Sequence, residues 1–160
     1  MRWRQVPTMV FVLSASCGPA NRQPESSRIV LPASAVLPLL QQCSRDAPTS
    51  GEGSWQPTDA EVDGMEANLP EVLAARPQAR EVNFSNLLSN WKRQYVGIVR
   101  GGRRYIYGNY FPADGPNHFN AMWREEPMVV CDGGPRFFGA EFDVAAKRIT
   151  HLDFNGSCCE

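Results

Sequence analysis

The stretch that decides the fold runs Gln94-Tyr-Val-Gly-Ile-Val-Arg100, then Gly101-Gly102-Arg103, then Arg104-Tyr-Ile-Tyr-Gly-Asn-Tyr-Phe111. Both flanks are rich in aromatic and β-branched residues, which suit a pleated, half-buried surface. The glycines between them supply the positive backbone angles that tight hairpins need. Working outward, three further strands are expected at residues 128–131, 136–143 and 148–154. Asp132-Gly-Gly-Pro135 and the turn at 144–147 separate them.

Upstream of the hairpin the pattern is helical. In Trp55-Gln-Pro-Thr58-Asp-Ala-Glu61, Thr58 and Glu61 stand at capping-box spacing, and Val62, Met65, Leu69, Val72 and Leu73 follow at helical intervals. This helix is bent or interrupted by Pro70 and ends before Pro77. A shorter helix fits Leu37, Leu39 and Leu40, with Pro38 able to stand in a first turn. Residues 83–91 suit one helical turn or a bridging loop. Helices followed by a run of strands with short connections give an α+β class. The expectation is an N-terminal helical segment with one long helix packed on a mostly antiparallel meander sheet of about five strands.

The first seventeen residues read as an export signal. Arg2 and Arg4 precede a short apolar run, Val10-Phe11-Val12-Leu13, then small residues and Cys17. A membrane-spanning helix would need roughly 18 or more apolar residues, so this run is too short to span. Leu13-Ser14-Ala15-Ser16-Cys17 resembles the lipobox of bacterial lipoproteins, with the leucine four places before the cysteine where the lipobox has three and with Pro7 inside the apolar region. A plain cleaved signal and an unprocessed amphipathic segment stay open beside it. On this reading residues 1–17 are the signal, 18–30 a flexible tether rich in Pro, Ser, Asn and Gln, and 31–160 one α+β domain. The expected location is periplasmic, with Cys17 lipidated and anchoring the chain to the membrane.

Five cysteines are an odd number, but with Cys17 assigned to the anchor or lost with the signal, Cys43, Cys131, Cys158 and Cys159 remain, and an oxidising envelope permits pairing. Pairing of adjacent Cys158 and Cys159 is disfavoured by disulfide geometry. The expected pair is Cys43 with Cys131. The competing arrangement sends both of these to the vicinal cysteines. No C-x-x-C spacing points to a metal, and no cofactor is expected. Removing Arg2 and Arg4 leaves 14 basic against 17 acidic side chains, a net charge of −3, which argues against a dedicated nucleic-acid binder.

The hairpin, with Val130-Cys-Asp-Gly-Gly-Pro-Arg-Phe-Phe-Gly-Ala-Glu-Phe-Asp143, Leu152-Asp-Phe-Asn-Gly156 and the Trp55-x-Pro-Thr58 helix start, resembles a group of small uncharacterised exported proteins from proteobacteria. The resemblance takes in about two-thirds of the chain and implies a small envelope domain, with no activity attached.

Candidate chemistry is sparse. Between Glu81 and Asp114 no acidic residue occurs, while Lys92, Arg93, Arg100, Arg103 and Arg104 are interleaved with Tyr95, Tyr105, Tyr107 and Tyr110. Tyr95, Arg100, Arg103, Tyr105 and Tyr107 form the candidate binding surface, with Tyr95 and Tyr105/Tyr107 on one face and Val96, Ile98 and Ile106 turned to the helix. A basic rim around tyrosines suits a glycan, an anionic envelope polymer or a protein partner. The bland reading makes these tyrosines packing pairs and the arginines solubilising charges. On the last two strands, alternation puts Glu141, Asp143, His151 and Asp153 on one outer face, which opens an alternative as a small hydrolase or metal-dependent enzyme. Cys131 with His118 offers a thiol nucleophile and base only where the cysteine is reduced. The reading that best unites these features is a non-enzymatic binding or structural module of the cell envelope.

Overall fold

The computed structural model describes residues 26–115 and 122–157. Cys17, His118, Cys158 and Cys159 lie outside the described residues, as does the expected export signal.

The hairpin forms as its sequence dictates. β3 (Trp91–Arg100) and β4 (Arg103–Pro112) pair antiparallel over their full length, from Trp91 opposite Pro112 to Arg100 opposite Arg103. Gly101 and Gly102 make the turn with φ of 58° and 70°, the left-handed region glycine enters without steric cost. β5 (Phe138–Asp143) adds to β4, and β6 (Arg148–Phe154) to β5, both antiparallel.

The expectation of one long helix on a five-stranded meander is overturned. Among the described residues the sheet has six strands and is mixed. β1 (Arg28–Val30) runs parallel to residues 93–95 of β3, and β2 (Gly53–Trp55) runs antiparallel to residues 97–99 along the same edge. Among the described residues, the helices are short apart from α2: α1 covers Val36–Leu40, α2 Asp59–Ala74 (16 residues) and α3 Leu87–Asn90. The expected strand at 128–131 does not form either. Its backbone groups bond to side chains: the Met128 N–H donates to Gln94 Oε1 at 2.8 Å, while Asn109 Nδ2 and Asn155 Nδ2 donate to the carbonyls of Met128 and Val130.

Apolar contacts cover both faces of the sheet. On one, Val62, Met65, Leu69 and Leu73 of α2 meet Tyr95, Ile106, Tyr110, Phe138, Phe142 and Leu152. On the other, Leu31, Ala35, Val36 and Leu39 cover Val96, Ile98, Tyr105 and Tyr107. Burying one such aliphatic side chain contributes about 2 kcal/mol, so the 31–40 segment is a second layer of the fold. α2 starts at the expected capping box: Thr58 accepts from the Glu61 N–H, and the Glu61 carboxylate accepts from the Thr58 N–H at 3.0 Å. Pro70 lies inside the helix, where it has no N–H to offer the preceding turn.

Candidate binding surface

Strand register decides what the hairpin displays. Tyr95 lies opposite Gly108, Val96 opposite Tyr107 and Ile98 opposite Tyr105, so Tyr105 and Tyr107 share a face with Val96 and Ile98, and Tyr95 shares the other with Ile106 and Tyr110. The expected grouping of Tyr95 with Tyr105 and Tyr107 is therefore incorrect. Because a layer covers each face, Tyr95 and Tyr107 are fully buried and Tyr105 is 9% exposed. They pack the core.

Each tyrosine has a specific partner. Tyr95 donates its hydroxyl to Glu66 Oε1 at 2.6 Å, and Glu66 also pairs with Arg93 at 3.0 Å and Arg28 at 3.2 Å. Burial, with Tyr110 and Glu66 alongside, pushes the Tyr95 phenol well above its ordinary range. On the opposite face, Arg45 Nε donates to the Tyr107 hydroxyl at 3.3 Å. The Tyr107 phenol is raised by burial, against the lowering pull of Arg45.

The cationic rim survives at the hairpin's turn end. The Arg100 guanidinium stacks on Tyr105, 4.3 Å from the ring centre, and donates to Glu141 at 2.8 Å. Arg103 pairs with Asp143 at 2.6 Å, and Arg104 reaches Glu61 at 3.2 Å while lying 4.4 Å over Trp55. Arg103 and Arg104 keep about half of their side-chain surface in solvent, at 54% and 53%. The turn between β5 and β6 comes up beside them, tied by the Val144 N–H to the Arg104 carbonyl at 3.2 Å. Together they bound an open cleft of about 460 Å³ lined by Gly102, Arg103, Arg104, Val144, Ala145 and Lys147. Glu52 steadies the hairpin turn, accepting from the N–H groups of Gly101 and Gly102 at 3.0 and 2.8 Å. Those two bonds hold its carboxyl below the usual glutamate range.

Glu141, Asp143, His151 and Asp153 do fall on one face, but the 41–53 segment engages that face. Glu141 and Asp143 are buried. Glu141 accepts from Arg100 and from Thr150 Oγ1 at 2.8 Å, and Asp143 from Arg103 and the Ala146 N–H. His151 Nε2 meets the Asp46 carbonyl at 3.1 Å, and Asp153 accepts from the Asp46 N–H at 2.8 Å. Thr150 stands at a register shift between β5 and β6. Among the described residues no group of three or more His, Cys, Asp or Glu is placed to hold a metal ion.

The sequence gives no signal for the buried polar cluster around Arg45. Arg45, buried, donates to Asn155 Oδ1 and Asn109 Oδ1 at 2.6 Å each; Asn109 Nδ2 donates to Gln94 Oε1 at 3.2 Å, and Gln94 Nε2 to the carbonyls of Trp123 and Glu126. These side chains fasten the 122–132 segment to the sheet. Alternation alone assigns Gln94 and Asn109 to strands without revealing that a loop covers them.

Cys43 and Cys131 are joined, with Cα atoms 5.1 Å apart. The pair leaves Cys131 no free thiol to serve as a nucleophile.

No family model, no curated protein and no solved structure matches the chain.

Proposed function

We propose that the chain is an exported, non-enzymatic envelope module, tethered through lipid on Cys17, that binds an anionic envelope component at the cleft of Arg103, Arg104 and Lys147. The observation that carries this reading is the cleft itself. Two turns bring three cationic side chains to one open concavity, and the Arg103 and Arg104 side chains keep about half of their surface in solvent. Carboxylates beneath Arg103 and Arg104 hold the groups in place, which reduces the ordering cost of binding. A binding role fits better than a catalytic one, because Glu141, Asp143, His151 and Asp153 are all engaged in internal bonds. Export is supported by the signal anatomy, and by a disulfide of a kind that persists in oxidising compartments.

The test is co-sedimentation with phosphatidylglycerol vesicles against phosphatidylcholine vesicles, using soluble protein that begins after Cys17. Binding is expected to the anionic vesicles only, to weaken as salt rises, and to fall about tenfold or more in the Arg103→Ala, Lys147→Ala double variant with the circular dichroism unchanged. Equal binding by the double variant rules the cleft out. The anchor is tested separately, by the intact mass of the membrane fraction: an acylated chain beginning at Cys17 is expected, and an unprocessed chain beginning at Met1 rules it out.

A further inference from the structure

The open end of the hairpin, where Trp91 lies opposite Pro112, carries a second concavity, of about 320 Å³. Three stretches of chain wall it: residues 83–91, residues 113–114 just after β4, and Arg136. They are bonded to one another in turn. The Ala113 N–H donates to the Asn90 carbonyl at 2.9 Å, Trp91 Nε1 donates to the Arg136 carbonyl at 3.0 Å, and Arg136 closes the ring by pairing with Asp114 at 2.6 Å. The wall is therefore set before a ligand arrives, which lowers the ordering cost of binding. Its volume falls at the small end of the range for small-molecule sites.

The helical turns before β3 present an amide-rich side to this space. Asn83, Asn86 and Asn90 stand three and four residues apart, the spacing that aligns side chains along one side of a helix. All three line the concavity and are exposed. Local structure uses only part of what they offer. Asn83 Oδ1 accepts from the Ser85 N–H and hydroxyl at 3.0 and 2.6 Å, and Asn90 Oδ1 from Ser89 Oγ at 3.4 Å. Asn86 precedes α3 without a side-chain bond to cap it. Among the described residues no acceptor bonds the Nδ2 group of any of the three.

We propose that this concavity binds a neutral saccharide. Among the described residues the charged side chains of the wall are Asp114 and Arg136, which pair and cancel, so the site has no call for a charged ligand. Its hydrogen-bonding groups are mixed. The three amide nitrogens and the guanidinium donate, while Asn86 Oδ1 and the second oxygen of Asp114 accept. A sugar hydroxyl does both at once, and a ring of hydroxyls meets donors and acceptors placed around one small space. Trp91 belongs to the wall but is only 6% exposed. It gives a narrow apolar strip, too little to receive an apolar side chain or to stack a ring, so recognition rests on hydrogen bonds. Along the ten-residue β3, about 30 Å separates this end from the cationic cleft. The two sites therefore take chemically different ligands independently.

The test is a titration of the nitrogen-15-labelled full chain with glucose, galactose and N-acetylglucosamine, each alone, followed by NMR. A site of this size is expected to hold a sugar ring with a Kd of about 1 mM. Saturable shifts should appear at the side-chain amide signals of Asn83, Asn86 and Asn90 and at the Trp91 indole N–H with at least one of the sugars. Asn86→Ala, which removes no capping bond, is expected to weaken that binding about fivefold with the backbone spectrum otherwise unchanged. Asp114→Ala asks the same question from the opposite wall, and decides if Asn86→Ala does not fold. The proposal fails if no sugar gives a saturable shift at these signals by about 20 mM. It fails equally if the folded variant binds as tightly as the parent chain. Anionic vesicles are absent from this titration and sugars from the sedimentation assay, so either site can fail without the other.

Discussion

Arg45 Nη2 meets Asn109 Oδ1 at 2.6 Å inside the protein, joining a loop residue to the middle of β4. The same guanidinium bonds Asn155 and Tyr107, so truncating it leaves three buried acceptors without a donor. Hydrogen bonds to a charged group are worth about 2 kcal/mol each, and a stranded buried partner costs a comparable amount. Arg45→Ala is expected to destabilise the fold by about 3 kcal/mol in urea unfolding. A loss below about 0.5 kcal/mol, the size of an ordinary surface substitution, would show that water replaces the guanidinium.

Gly97 lies directly under Trp55. A Cβ at Gly97 would come within 2.3 Å of the Trp55 carbonyl oxygen and 2.8 Å of its indole nitrogen, both too close for packed atoms. Gly97→Ala should cost about 2 kcal/mol or more, read from thermal unfolding. Because the tightest clash is with backbone, adding Trp55→Ala is not expected to restore stability. Full rescue by the double variant would place the conflict in the indole.

Glu52 gives a pH dependence of known sign. Its carboxyl is held low by the Gly102 and Gly101 amides, so the folded state favours the ionised form. The resulting stability is present above the ordinary glutamate range and is lost as pH falls through the depressed value. A carboxyl-detected NMR titration should place its midpoint below 4.5. Glu52→Gln should remove this part of the acid sensitivity while leaving the hairpin paired.

At the start of α2, Thr58→Ala removes one arm of the capping box at a cost of about 1 kcal/mol. It should also raise the Glu61 carboxyl, which the Thr58 side chain and then its backbone N–H hold low. An unchanged Glu61 midpoint in the variant would mean that Arg104 dominates.

The hairpin, its glycine turn and the α2 cap were legible because each is written in adjacent residues. Strand alternation also put Glu141, Asp143, His151 and Asp153 together. It could not say that residues 31–53 cover that face, since parity assigns sides without naming what lies over them. The fate of Tyr95 and Tyr107 was lost for the same reason. β1 and β2 leave no mark in the sequence, because strands of three residues carry no period. Residues 128–131 read as a strand although their partners are the side chains of Gln94, Asn109 and Asn155, and no local pattern announces a partner of that kind.

One edge of β3 is shared end to end by β1 and β2, with Arg28 paired to Arg93 and Gly53 to Val99. The hairpin closes across two glycines, whereas these short strands must be gathered from far along the chain, against a larger loss of chain entropy. They are therefore expected to dock late in folding and detach early. Fraying there would bare the amides of the central hairpin while the rest of the sheet held, and backbone hydrogen exchange would record it as a first, partial opening of the molecule.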